Sequence, residues 1–179
     1  MIGLLCAVLV VIAGVVFGKD ARENKLSTKH AYLIDIVHEQ RVTFATTHGV
    51  SDPVALVSAV RSSPMASLLI CVAIEESSGD PVAVGSFGEQ GAWQVKPSDW
   101  GAVPRDIHGQ AGQAERIIRG LIIRAKGDKK EALAQYNGGT RPPSKSYRYA
   151  ERILKLSKNL EVAVNYLPPN IFKESLFKI

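Results

Sequence analysis

A strongly apolar stretch from Met65 to Ile74 constrains the fold more than any other feature of this sequence. Ser63-Pro64 precedes it and is a helix-start signal, because serine caps helices and proline fits their first turn. Gly79-Asp80-Pro81 follows it and is a breaker cluster. The pattern therefore predicts a helix that begins near Met65 and stops near Ser78.

Five other segments have helical periodicity or helix-start signals, whereas residues 82–97 are glycine-rich and predict an irregular loop with short strands. The architecture is therefore expected to be mainly α, with one glycine-rich loop. The predicted helices cover about residues 31–44, 54–60, 114–125, 130–136 and 146–158.

Two adjacent acids, Glu75 and Glu76, lie at the end of the apolar helix. A carboxylate at a helix C-terminus opposes the macrodipole, and apolar neighbours such as Ile70 and Ile74 remove solvation. Both effects raise the pKa of a carboxyl group, which a general acid needs near neutral pH. On the residues alone, the alternative that two glutamates only solvate a helix end stays open.

The residues from Glu76 onward carry a family resemblance. They read Glu-Ser-Ser-Gly-Asp-Pro-Val-Ala-Val-Gly-Ser-Phe-Gly-Glu-Gln-Gly-Ala-Trp-Gln. This run resembles the glutamate–serine and "GLMQ" motifs of the soluble lytic transglycosylase family, which belongs to the lysozyme-like superfamily. The family spacing from Glu76 is kept without a gap at Pro81, Ala83, Gly88, Gly91 and Gln94.

Two later motifs extend the resemblance. Residues Ala134-Gln135-Tyr136-Asn137-Gly138-Gly139 resemble the family's "AYNGG" motif, and Tyr149-Ala150-Glu151-Arg152-Ile153 resembles its final tyrosine motif. Four motifs thus occur in family order between about Ser67 and Leu154. Three positions depart from the pattern: Gly79 replaces a larger residue, Trp93 replaces methionine and Gln135 replaces alanine.

The resemblance implies a lysozyme-like fold of the goose-type kind and cleavage of the β-1,4 bond between N-acetylmuramic acid and N-acetylglucosamine. Glu76 would be both acid and base, while the sugar's acetamido group acts as internal nucleophile and a 1,6-anhydro end forms. A lysozyme-like hydrolase remains an alternative, since Glu75, Asp80, Glu89 and Asp99 are near in sequence. A non-catalytic, membrane-bound scaffold of a virion or secretion machine is another.

The resemblance also implies which residues bind the glycan. Ser77 and Gln94 would line the cleft beside the acid, with Ser77 hydrogen-bonded to the sugar. Tyr136 and Asn137 would shape the cleft floor, and the Tyr149 hydroxyl would bond the acid or the substrate. Trp93 would stack on a sugar face, with core packing an equal alternative. Core packing is also the alternative for the two tyrosines.

Residues 2–18 contain no charge and are almost wholly apolar. As a helix, about 17 residues reach about 26 Å, the short end of what spans a bilayer core. A retained transmembrane anchor is preferred over a cleaved signal, because no Lys or Arg precedes the apolar core. We therefore expect a membrane-anchored protein whose catalytic domain faces the periplasm or cell wall, or one that is associated with a virion.

The charges after this segment oppose simple export. Lys19, Arg22, Lys25 and Lys29 would keep that side cytoplasmic by the positive-inside rule. A peptidoglycan enzyme must act outside the inner membrane. Delivery by a virion or a holin is the hypothesis that reconciles the two.

The formal net charge of +5 favours a polyanionic partner: nucleic acid, anionic lipid or peptidoglycan. No nucleic acid is expected, because the sequence has no zinc-ligand spacing, no RNP-like aromatic pattern and no dense basic run. Cys6, Cys71 and four scattered histidines do not suit a metal site, and no cofactor is expected.

The predicted organisation has four parts, given below with their bounds. Peptidoglycan strands are expected to contact the transglycosylase domain, and the membrane is expected to contact residues 2–18. Virion or secretion-machine proteins are further expected partners. The parts are an anchor or signal (1–18), a linker with an accessory helix (19–50), a transglycosylase domain (51–160) and a C-terminal arm (161–179).

Overall fold

A computed structural model of the protein describes residues 32–166. The chain divides into two compact units, the first ending at Val37 and the second beginning at His38. In the first unit, residues 32–37 are helical. The predicted anchor and the end of the predicted arm lie outside the described residues. Within the described range, no helix combines the length and apolar character that a membrane span requires.

The second unit is built from helices, which confirms the mainly α architecture. Helix α1 covers residues 38–47 of this unit. The only extended pairings in its described part are isolated bridges, Val84 with Gln90 and Gln90 with Val95. The later helices are α2 (Pro53–Ala59), α3 (Ala66–Ser77), α4 (Pro97–Trp100), α5 (Ile107–Arg124), α6 (Lys129–Gly138) and α7 (Ser144–Asn165).

Aspartate caps begin three of these helices. Asp52 caps α2, because its side chain accepts a hydrogen bond from the Ala55 N–H at 2.9 Å. Asp106 caps α5 in the same way, which starts that helix at Ile107, seven residues before the predicted start. The first turns of α5 were missed because their glycines and glutamines lack an apolar period. Asp128 caps α6.

Helix α3 is the central element. Residues 66–73 are all buried, and α3 packs against α2, α5 and α7. Fully burying one Leu or Ile side chain contributes about 1.5–3 kcal/mol, so Leu69 and Ile70 fix the position of this helix. Its C-terminal turn, which carries Glu75 and Glu76, is thereby held at a defined place beside α7.

The end of α3 requires left-handed backbone. The Ser78 N–H donates to Ile74 O, the bond of an αL cap, and the Gly79 N–H donates to Ala73 O. Ser78 has φ +56° and Gly79 φ +75°. A Cβ at Gly79 would lie 3.0 Å from Val50 Cγ1, so this position tolerates little besides glycine.

Replacing Gly79 with alanine should therefore destabilise the fold more than replacing Gly127. Both glycines have positive φ, but a Cβ at Gly127 meets nothing within 4 Å. Each variant loses about 1–2 kcal/mol from left-handed strain, and Gly79→Ala adds the contact with Val50. Urea unfolding measures the difference. Equal losses for the two variants would contradict the packing described for the end of α3.

Candidate active site

Glu76 lies in the last turn of α3, at the wall of a cleft of about 880 Å³. The other lining residues come from the loop between α3 and α4, from α4, α5 and α6, from the connection into α7, and from α7 itself. Six other parts of the chain therefore meet around one carboxyl group. A cleft of this volume is in the range of small-molecule binding sites.

The environment of Glu76 changes its acidity. Burial, which disfavours the charged form, raises the pKa of Glu76 to about 7. The Tyr149 hydroxyl donates a hydrogen bond to Glu76 Oε1, which lowers this pKa. The negative charges of Glu75 and Glu89 raise it further. Near neutral pH, the carboxyl group is thus divided between its protonated and ionised forms.

Glu75 occupies a different environment from its neighbour. Its Oε1 accepts hydrogen bonds from Arg152 Nε at 2.8 Å and from Arg152 Nη2 at 2.5 Å. Adjacent residues of a helix point about 100° apart. Glu75 therefore contacts Arg152 on α7, while Glu76 faces the cleft. Only Glu76 of the two lines the cleft in the described part of the chain.

Two tyrosines hold the back of the site. Tyr149, on α7, is 5% exposed and contacts Glu76 directly. Tyr136, on α6, lines the cleft, and its hydroxyl donates to Trp93 O at 2.6 Å. Burial raises the pKa of both phenols, so both remain neutral donors at physiological pH.

Gln94 and Asn137 line the cleft as the resemblance implies. Gln94 has φ +47°, and its Nε2 donates to Gly91 O at 2.8 Å. Asn137 Oδ1 accepts a hydrogen bond from Ser146 Oγ at 2.9 Å. The loop and α7 thus orient both amides before any ligand binds.

Ser77 is not among the residues that line the cleft, and Trp93 occupies the core, the second of its two predicted positions. Ser77 Oγ donates to Ala92 O at 2.8 Å and accepts from the Asp80 N–H at 3.0 Å. This hydroxyl joins α3 to the following loop. Trp93 is 1% exposed, and its Nε1 donates to Leu69 O at 2.9 Å. The stacking role predicted for Trp93 does not fit, because its ring is in the hydrophobic core.

Gln110 supports the loop and was missed by the sequence analysis. Its Oε1 accepts from the Ala92 N–H at 2.9 Å, while its Nε2 donates to Pro81 O at 2.9 Å and Pro104 O at 3.0 Å. A Cβ at Gly91 would lie 2.4 Å from this Oε1, which explains the glycine there. No sequence motif marks Gln110, because it lies in the first turns of α5, which lack an apolar period.

Charged side chains of both signs line the cleft. Within residues 32–166, no group of three or more His, Cys, Asp or Glu side chains is placed to hold a metal ion. The acids are Glu76, Glu89 and Asp99, and the cations are Lys96, Arg124 and Lys145.

Comparison with known proteins adds no further constraint. The sequence matches no protein-family model, and no curated protein matches it either. The functional interpretation consequently depends on the four sequence motifs and on the geometry of the cleft.

Removing the Tyr149 hydroxyl should raise the pKa of Glu76 above about 7. The hydrogen bond from Tyr149 favours the ionised carboxylate, so Tyr149→Phe shifts the equilibrium toward the protonated form. A pH titration of the Glu76 carboxyl carbon by NMR measures the shift. Tyr136→Phe is the matched control, since the Tyr136 hydroxyl donates to Trp93 O instead. An unchanged or lowered pKa in Tyr149→Phe would contradict this assignment.

Proposed function

We propose that this chain is a peptidoglycan lytic transglycosylase with a lysozyme-like fold. It would cleave the β-1,4 bond between N-acetylmuramic acid and N-acetylglucosamine. The observation that carries the proposal is a half-buried carboxyl group in a cleft, Glu76, whose pKa of about 7 is matched to proton transfer at neutral pH. The order and spacing of the four motifs around Glu76 support the same activity.

In this mechanism Glu76 acts twice. Tyr149 holds Oε1, so Oε2 is the oxygen that gives its proton to the glycosidic oxygen as the bond to C1 breaks. The acetamido oxygen of the muramic sugar bonds C1 and forms a cyclic intermediate. The Glu76 carboxylate then removes the proton of the sugar's 6-hydroxyl, whose oxygen displaces the acetamido group. The 1,6-anhydro product forms without water, and Glu76 ends protonated.

The protein supplies orientation around this carboxyl group. Gln94 and Asn137 present amides that are already fixed by hydrogen bonds, and Tyr136 closes the cleft floor. Preorganised dipoles stabilise developing charge without reorganisation during the reaction. The Ser77 hydroxyl serves as a positioning group, because it ties the loop that carries Gln94 to the helix that carries Glu76.

A hydrolase is the second candidate, because Glu89 lines the same cleft and its charge acts on Glu76. Most glycoside hydrolases use a second carboxylate as nucleophile or base. Here, however, Glu89 Oε2 accepts a hydrogen bond from the Phe87 N–H at 3.0 Å and braces the turn of its own loop. This structural role favours the mechanism that needs one catalytic glutamate.

We further propose that the enzyme opens the cell wall locally, as part of phage entry or lysis, secretion or wall remodelling. Support comes from the compact catalytic region and from the charge-free run of residues 2–18, which suits a membrane anchor. Because the basic residues after this run oppose simple export, the proposal includes delivery by a virion or a holin. Peptidoglycan strands are the proposed partner of the cleft.

Replacing Glu76 with glutamine should abolish clearing of purified cell walls, with a loss of at least about 100-fold, because the amide cannot donate and retake the proton. Turbidity of a wall suspension measures the rate. Glu75→Gln is the matched control and should keep its activity, since Glu75 is bound to Arg152 outside the cleft. Its pH profile should move to slightly lower pH, because removing the Glu75 charge lowers the pKa of Glu76.

Glu89→Gln separates the two mechanisms in the same assay. Glutamine keeps a side-chain oxygen that can accept from the Phe87 N–H, so the loop is preserved. A transglycosylase with one catalytic glutamate retains its activity, whereas a hydrolase that uses Glu89 loses it.

Full clearing by Glu76→Gln, with circular dichroism showing a native fold, would refute the assignment of Glu76.

A further inference from the structure

We infer that Trp100 and Arg124 form a binding wall for carboxylate groups carried by the glycan strand. The inference rests on the proposed function and names the part of the substrate that this wall recognises. Both residues line the cleft, and neither belongs to the four motifs. The wall would distinguish an acidic glycan, such as peptidoglycan, from a neutral glycan with the same backbone.

The two side chains already form a pair. The Arg124 guanidinium lies over the Trp100 ring, 5.9 Å from its centroid, which is within the range of a cation–π interaction. Trp100 is 41% exposed. A cation–π contact uses none of the guanidinium N–H donors, and a guanidinium whose donors are free can bind a carboxylate in a bidentate manner.

The N–H groups of Arg124 are free to bind a ligand. In the part of the chain that the structure describes, its guanidinium takes part in no hydrogen bond or ion pair. Other arginines are engaged: Arg119 pairs with Glu115, and Arg152 pairs with Glu75. Arg124 is therefore a cation in the cleft that contacts the Trp100 ring. Its N–H groups can donate hydrogen bonds to a ligand.

Contacts with α4 and α5 hold Trp100 and Arg124 in position. Gln113, buried on α5, donates from Nε2 to Trp100 O at 3.3 Å and to Ala102 O at 3.3 Å. The Trp100 N–H donates to Lys96 O at 3.1 Å within α4. Arg124 is the last residue of α5, where the negative end of the helix dipole favours a cation. Both partners are therefore positioned before a ligand binds.

The charge balance of the cleft agrees with an anionic ligand. The lining carries the cations Lys96, Arg124 and Lys145. Of its acids, Glu89 accepts from the Phe87 N–H, and Asp99 accepts from the Ser98 hydroxyl. When Glu76 is protonated, as the first proton transfer requires, three cations face two engaged carboxylates, and the lining is positive by one charge.

Glycan-linked carboxylates have two sources in peptidoglycan. Stem peptides carry free carboxylates, while the lactyl group of muramic acid exposes a carboxylate only after the peptide has been removed. Both present the same chemistry to Arg124. The test must therefore compare strands with peptides, strands without peptides, and strands whose carboxylates have been neutralised.

The experiment measures binding of soluble glycan strands by titration calorimetry in the Glu76→Gln background, so that no cleavage occurs. The three probes are peptide-bearing strands, the same strands with carboxylates amidated by carbodiimide and ammonia, and amidase-stripped strands. Arg124→Gln is compared with Arg116→Gln, an exposed arginine of the same helix outside the cleft. Circular dichroism checks that both variants fold.

We expect Arg124→Gln to weaken binding of peptide-bearing strands about tenfold or more, since hydrogen bonds to charged groups are the stronger ones. Amidated strands should bind equally to the Arg124→Gln and Arg116→Gln proteins. Weakening that persists on stripped strands identifies the lactyl carboxylate, and weakening confined to peptide-bearing strands identifies the stem peptide. Equal weakening on amidated strands, or none on any probe, overturns the inference. A wild-type protein that binds with this selectivity but cuts no strand refutes the proposed function instead.

Discussion

The contact between the Tyr149 hydroxyl and the Glu76 carboxyl group is the interaction on which the site depends. It joins the end of α3 to the first half of α7, two helices that also pair through Glu75 and Arg152 and pack against each other. The buried apolar body of α3 fixes the position of the turn that carries Glu76. The left-handed turn at Ser78 and Gly79 then directs the chain away, so that the loop bearing Gln94 folds back over the acid.

Burial of this carboxyl group has a cost in stability. The pKa of Glu76 is about 7 in the folded protein, against an ordinary value of 4.5, so the folded state binds this proton more tightly than the unfolded chain. This tighter proton binding stabilises the folded protein. The stabilisation is fully present below about pH 4.5 and is lost as the pH rises through 7. A pKa difference of this size corresponds to about 3 kcal/mol. A function that needs a proton donor at neutral pH accounts for retaining such a group.

Much of the fold could be predicted, because apolar periodicity and capping signals mark the helices. Glu76 and Tyr149 could be placed together only through the order of the motifs, since 73 positions separate them. Trp93 could not be assigned: a tryptophan in a glycine-rich loop suits either a sugar face or a core, and only packing decides. The Trp100–Arg124 wall was missed because a pairing between α4 and α5 is a tertiary contact without a local pattern.

The most direct test of the central claim is mass spectrometry of the fragments released from purified peptidoglycan by the wild-type protein. If Glu76 acts as both acid and base while the sugar supplies the nucleophile, the muramic ends are anhydro and one water lighter than hydrolysed ends. Their yield should rise and fall with a pH dependence set by a group of pKa about 7. Hydrolysed reducing ends as the main product would contradict this mechanism, and an absence of glycan fragments would contradict the proposed activity.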